Sequence, residues 1–210
     1  MTSSAVTPFQ IAVARGFFSL PESETFLLAG GAALLATGLI ARPTLDLDLF
    51  TSKPDRVEKA SEAFVAYAQL QGWQVDIWHS GPSFARMLVR DREEVFVDLA
   101  LDSAPHGQPN ATFLGPTLSP DELASRKLLA LFGRALPRDF EDIYAMRDAM
   151  DFADLMRAAK EIDPGFEVKW LIIAIKSLKF LADDLFTLPS DEILQLRSYF
   201  DNLSKWLGRL

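Results

Sequence analysis

The chain has 210 residues, 49% of them apolar, with a formal net charge of −8 and no cysteine. Its length suits one sizeable core or a core domain with a smaller partner. Disulfides and thiolate metal sites are excluded, and only His79 and His106 could supply imidazole to a zinc site. The net negative charge argues against a surface that simply coats nucleic acid. No apolar run approaches the roughly 18 residues of a membrane span: "WLIIAIKSLKFLADDLF" is broken by Lys176, Lys179 and Asp183. The N-terminus lacks the basic region of a signal peptide, so a cytoplasmic protein with no membrane partner is expected.

In chain order, Ala5–Leu20 predicts a helix stopped by Pro21, Phe26–Ala29 a short strand, and Ala32–Ile40 a short helix behind Gly30-Gly31. Leu45–Phe50 alternates leucine and aspartate, the period of a strand with two distinct faces. Pro54–Gln71 carries a helical apolar stripe of Ala60, Phe64, Tyr67 and Leu70, closed by Gly72. Strand-like runs follow at Trp73–Trp78, Ala85–Val89 and Val95–Leu101. The loop Ser103–Pro116, with Pro105, Pro109 and Pro116, is the predicted boundary. From Ser119 (a capping box with Pro120 and Glu122) to the end, the pattern is helical, restarting at Pro189-Ser190. The expected class is α+β: an α/β core over residues 1–118 and a helical domain over 119–210. The first stretch holds eight Lys/Arg against 13 Asp/Glu, the second 13 against 16, so basic side chains concentrate in the helical part.

Residues two apart in a strand share a face, so Asp46 and Asp48 project together while Leu45, Leu47 and Leu49 take the other side. Two adjacent carboxylates repel unless a cation compensates, and Mg²⁺, or Mn²⁺ in its place, suits one or two carboxylates plus substrate phosphates. The plain alternative is an edge strand with a wet outer face. Gly30-Gly31, between strand and helix, admits backbone N–H groups close to a phosphate; the alternative is a tight turn. Asp98, within "VFVDLAL", is a third carboxylate whose burial would be costly without a role; Asp76 and Asp102 are weaker rivals. Lys127 and Arg134 share a helix face, as do Asp139 and Asp142 on the next helix. Exposed ion pairing, Lys127 or Arg126 to Asp142, is the alternative there.

Gly30-Gly31, "RPTLDLDLF", "VFVDLAL" and "LASRKLLALFGRALPRDFEDIYAM", in that order over about residues 25–150, resemble the nucleotidyltransferase toxins of the AbiEii/AbiGii group. That group includes the MenT toxins and lies within the polymerase-β-like minimal nucleotidyltransferase superfamily. The resemblance implies a minimal nucleotidyltransferase mixed-sheet core with a C-terminal helical bundle. It implies Gly30 and Gly31 as the phosphate turn, and Asp46, Asp48 and Asp98 as catalytic metal ligands. Thr44, in the position of the family's Ser or Thr, joins the NTP-binding residues, and Lys127 is catalytic and a triphosphate contact. Asp142 is catalytic and Asp139 an NTP-binding acid. Two departures stand out: Gly31 occupies a position where much of the superfamily has Ser, and 14 residues separate Gly31 from Asp46, a long interval. The implied activity is transfer of NMP from an NTP to an acceptor hydroxyl. A tRNA 3′ end or other RNA is the implied acceptor, GTP a candidate nucleotide, and a cognate antitoxin the partner. A DxD glycosyltransferase and a degenerate NTP-binding interaction module are the alternatives. His106 lies in a loop near the expected site. Trp73, Trp78, Trp170 and Trp206 are expected in packing roles, and Lys169, Lys176 and Lys179 on one helix face that could hold a nucleic-acid backbone.

Overall fold

The computed structural model of the chain describes residues 6–209. These form two compact units, divided between Leu123 and Ala124 inside a helix that begins at Pro120.

The first unit is a mixed sheet with helices. Helix α1 (Pro8–Phe18) opens on a reciprocal capping box between Thr7 and Gln10, with Pro8 in the first turn where no N–H is needed. The strands are β1 (Phe26–Ala29), β2 (Asp46–Thr51), β3 (Gln74–Ser80), β4 (Phe84–Arg90), β5 (Glu94–Leu101), β6 (Asn110–Ala111) and β7 (Pro116–Thr117). They lie in the order β3-β4-β5-β2-β1-β7-β6. Strands β2 and β5 run parallel, as do β1 and β7; the remaining pairs are antiparallel. The segment after β5 thus supplies two short strands, of which β6 forms the edge of the sheet.

Alternation along β2 and β5 sends Leu47, Leu49, Val95, Val97 and Leu99 to one face, where all are buried. Helices α1 and α3 (Arg56–Leu70) cover that face, with Phe17 at the centre of edge contacts to Phe18, Phe26 and Phe64 at 5.3–5.8 Å. Helix α2 (Gly30–Ala36) begins at the glycine pair itself and stops short of Ile40. Gly38, at φ +77°, lets Leu39 N–H return to Leu34 O and its own N–H to Leu35 O, which closes the helix.

The second unit is helical: α4 (Pro120–Arg134), which opens in the first unit, then α5 (Pro137–Met146), α6 (Phe152–Ile162), α7 (Val168–Lys176) and α8 (Ser190–Leu207). Phe140 on α5 meets Phe200 on α8 edge-on at 5.0 Å, both fully buried. Helix α7 ends at Lys176 and a 3-10 turn follows over Ser177–Phe180, so Lys179 lies beyond the helix that carries Lys169 and Lys176. No described helix is long and apolar enough to cross a membrane.

Candidate active site

The face of the sheet opposite α1 and α3 carries the candidate carboxylates. Asp46 and Asp48 point to it by the strand period, and parallel pairing sets Asp48 beside Asp98 in register. Three of the expected carboxylates therefore line one face of two adjacent strands, Asp48 and Asp98 about 4.8 Å apart at Cα. Asp98 is buried.

Strand β1 ends opposite this row, with Ala29 paired to Asp48, and the chain then turns into α2 at Gly30. Gly30 has φ +61°, and a Cβ there would overlap the Asp48 carboxylate. The glycine is thus required twice, by its backbone and by the acid packed on it. A Cβ at Gly31 would lie 3.0 Å from Thr44 Oγ1. A side chain at position 31 would therefore crowd the Thr44 hydroxyl, which donates to Asp46 Oδ1 at 2.7 Å. Thr44 is itself fixed through its carbonyl, which accepts from Gln10 Nε2 at 2.6 Å. Gln10, buried in the first turn of α1, links the cap of that helix to the loop leading into β2. The sequence marks it only as an ordinary helix residue.

Arg86 on β4 was also missed. Paired across from Asp98, it donates from Nε to Asp98 Oδ1 at 2.9 Å, and its guanidinium lies over Phe96 at 5.3 Å. The available signal is a lone Arg inside the apolar run "FARMLV". Among the described residues no group of three His, Asp or Glu side chains is arranged to hold a metal ion. The donor chemistry fits a single divalent cation on Asp46 and Asp48, completed by phosphate oxygens and water, while Arg86 provides counter-charge to Asp98. Asp76 is engaged instead with Arg90 near the sheet edge.

Within the second unit, Lys127, Asp139 and Asp142 come together. Lys127 Nζ lies 2.9 Å from Asp142 Oδ2 and 3.4 Å from Asp139 Oδ1. Both aspartates are 0% exposed and Lys127 is 7% exposed; this is a buried cluster, not the exposed ion pairing of the alternative reading. Asp139 also accepts two bonds from Arg134 at 2.9 Å and one from Leu136 N–H at 3.2 Å, where it caps α5. Burial alone would raise its pKa, but the Arg134 hydrogen bonds, the charges of Lys127 and Arg134, and the Leu136 N–H together hold it below the ordinary carboxylate range. Asp139 is thus fully enclosed, its carboxylate engaged by Arg134, Lys127 and the Leu136 N–H.

His106 sits in a loop tied down by Glu122, whose carboxylate accepts from the backbone N–H groups of His106 and Gly107. Trp78 and Trp170 are 61% and 52% exposed, so neither is a core residue.

A family model described as nucleotidyl transferase AbiEii toxin, type IV toxin–antitoxin system, matches residues 12–192. No curated protein matches the chain. Among solved structures, JHP933 from Helicobacter pylori superposes with a TM-score of 0.58 at 19% identity, over 97% of this chain and 95% of that one. MenT4, a nucleotidyltransferase toxin from Mycobacterium tuberculosis H37Rv, superposes at 0.54 and 15% identity, over 98% and 90%. At such identities the likeness establishes the shared fold.

Proposed function

The chain belongs to the AbiEii nucleotidyltransferase toxin family, and from that premise we propose that it transfers a nucleoside monophosphate from an NTP to a hydroxyl of RNA, with a tRNA 3′ end as the preferred acceptor. As a type IV family toxin it has an NTP as substrate and an antitoxin as counterpart. The glycosyltransferase reading falls with the family assignment.

The observation that carries the reading is the carboxylate row: Asp46 and Asp48 on β2, Asp98 in register on β5, and Gly30 left bare beneath Asp48. Asp46 and Asp48 would hold Mg²⁺ or Mn²⁺. Such an ion, when bound, neutralises phosphate charge and favours in-line displacement at the α-phosphorus. Thr44 orients Asp46 through its hydroxyl, and the Gly30-Gly31 turn offers backbone to the phosphates. In the transfer, the acceptor oxygen bonds the α-phosphorus, the bond to the bridging oxygen breaks, pyrophosphate leaves, and the hydroxyl proton is taken up by the carboxylate row. Lys127 is proposed as a catalytic cation, with Asp142 and Asp139 holding its ammonium in place.

The test is incubation with tRNA, Mg²⁺ and each labelled NTP. Label moves to RNA in the wild type, and is lost with EDTA and in Asp48→Asn and Lys127→Met. Transfer unchanged in Asp46→Asn and Asp48→Asn would overturn the site assignment.

A further inference from the structure

The site face continues past Asp98 to the sheet edge, and what it carries there is unlike the rest of the face. The register of β3 against β4 shifts between Ile77 and His79, so Trp78 is the extra residue of a bulge. Bulges re-aim side chains; this one turns Trp78 across β4 onto Phe96, ring centroids 4.9 Å apart and nearly perpendicular. The indole is thereby fixed in direction while 61% exposed. Beside it, Arg86 is held from two sides, by Asp98 through Nε and by the Phe96 ring. Among the described residues its terminal nitrogens have no hydrogen-bond partner, and its side chain remains 40% exposed. A rigid aromatic surface beside a guanidinium with its outer fork open is the chemistry that binds single-stranded nucleic acid, a base on the ring and a phosphate on the fork.

We infer that Trp78 and Arg86, braced by Phe96, form the subsite for the terminal nucleotides of the RNA acceptor; the inference rests on the nucleotidyl-transfer reading above. Sheet order decides the side. The Gly30-Gly31 turn leaves the carboxylate row through β1, whereas Arg86 and Trp78 lie on β4 and β3, the opposite direction from β2. An in-line displacement places attacking and leaving oxygens on opposite sides of the phosphorus, so the patch falls on the attacking side. Arg86 lies two strand spacings from Asp48, about 10 Å at Cα, a distance on the order of one nucleotide. The edge strand carries no comparable reason to expose a tryptophan, since edges are ordinarily blunted with charge.

The experiment separates the two substrates. Steady-state transfer is measured with RNA and NTP varied independently for the wild type, Trp78→Leu, Trp78→Phe and Arg86→Gln. Trp78→Leu is expected to raise the KM for RNA about ten-fold with the KM for NTP unchanged, and Trp78→Phe to recover most of the loss. Arg86→Gln is expected to raise the RNA KM and flatten its salt dependence. In parallel, a single-stranded RNA oligomer is titrated without NTP, following tryptophan fluorescence; quenching is expected in the wild type and its Trp78 share is lost in Trp78→Leu. If transfer occurs and Trp78→Leu leaves the RNA KM within two-fold, on the order of assay scatter, the subsite is wrong and the transfer reading stands. A rise in NTP KM instead would put Trp78 on the nucleotide side and also overturn it. Quenching that depends on Trp78 with no transfer to any RNA would keep the RNA site and sink the transfer reading.

Discussion

Gly30→Ala tests the joint between the phosphate turn and the carboxylate row. The new Cβ would overlap the Asp48 carboxylate, and it would lie only 3.1 Å from Asp48 Cβ, so rotating the acid about χ1 clears its oxygens without clearing its stem. Asp48 must therefore shift by on the order of 1 Å, a displacement that can cost about 100-fold in rate, or about 2.7 kcal/mol of barrier. Backbone strain adds to this, because φ is +61° and a non-glycine residue there costs about 1–2 kcal/mol. Gly38→Ala isolates the strain: φ is +77°, and nothing lies within 4 Å of its added Cβ. Thermal unfolding with parallel transfer assays gives the comparison. Gly38→Ala should lower Tm by about 2–4 °C per kcal/mol of strain and leave transfer near wild type. Gly30→Ala should lose about 100-fold in kcat/KM at a comparable Tm. Transfer in Gly30→Ala within about three-fold of wild type, a difference of under 1 kcal/mol, would refute the placement of Asp48 at the reaction centre. Equal loss in both variants would show that strain, not the Asp48 contact, is responsible.

Thr44→Val removes the hydroxyl bound to Asp46 and should reduce kcat about ten-fold, whereas Thr44→Ser should keep it; equal rates in both would show that the hydroxyl does not orient Asp46. Arg134→Gln should destabilise the protein by about 1 kcal/mol at pH 7, the low end for a charged hydrogen bond because Arg134 is nearly half exposed. The depressed pKa of Asp139 gives stability that is present above the ordinary carboxylate value of 3.8 and lost as pH falls through the lower folded value. The gap between wild type and Arg134→Gln in urea unfolding should therefore narrow below that range; a constant gap would exclude Asp139 as its source. Gln10→Ala removes both the Thr7 N–H cap and the bond to Thr44 O, and should cost about 1–3 kcal/mol in the same assay.

Much of this molecule is local, and local features were legible. Asp46 and Asp48 share a face because strand side chains alternate, and no tertiary information is needed to say so. Helical spacing likewise set Lys127 with Arg134 and Asp139 with Asp142, and Pro120 and Ser190 marked true helix starts. The helix after β1 was anticipated but its bounds were not: it begins on the glycines and is closed by Gly38, a matter of one backbone angle. Of the three lysines expected on one helix, Lys169 and Lys176 lie on α7 and Lys179 in the 3-10 turn that follows it.

What the sequence by itself determined was the α+β order of elements and the type of chemistry, since periodicity and motif order are written in consecutive residues. Tertiary structure alone decided which of those residues meet. Asp98 stands beside Asp48, fifty positions away, through the β2–β5 register; Arg86 reaches Asp98 through the next register; Thr44 comes to lie against Gly31; and one bulge brings Trp78 to Phe96. Register is set by burial summed over whole strands, and a one-residue slip would reverse every face, so no short stretch of sequence could have announced these contacts.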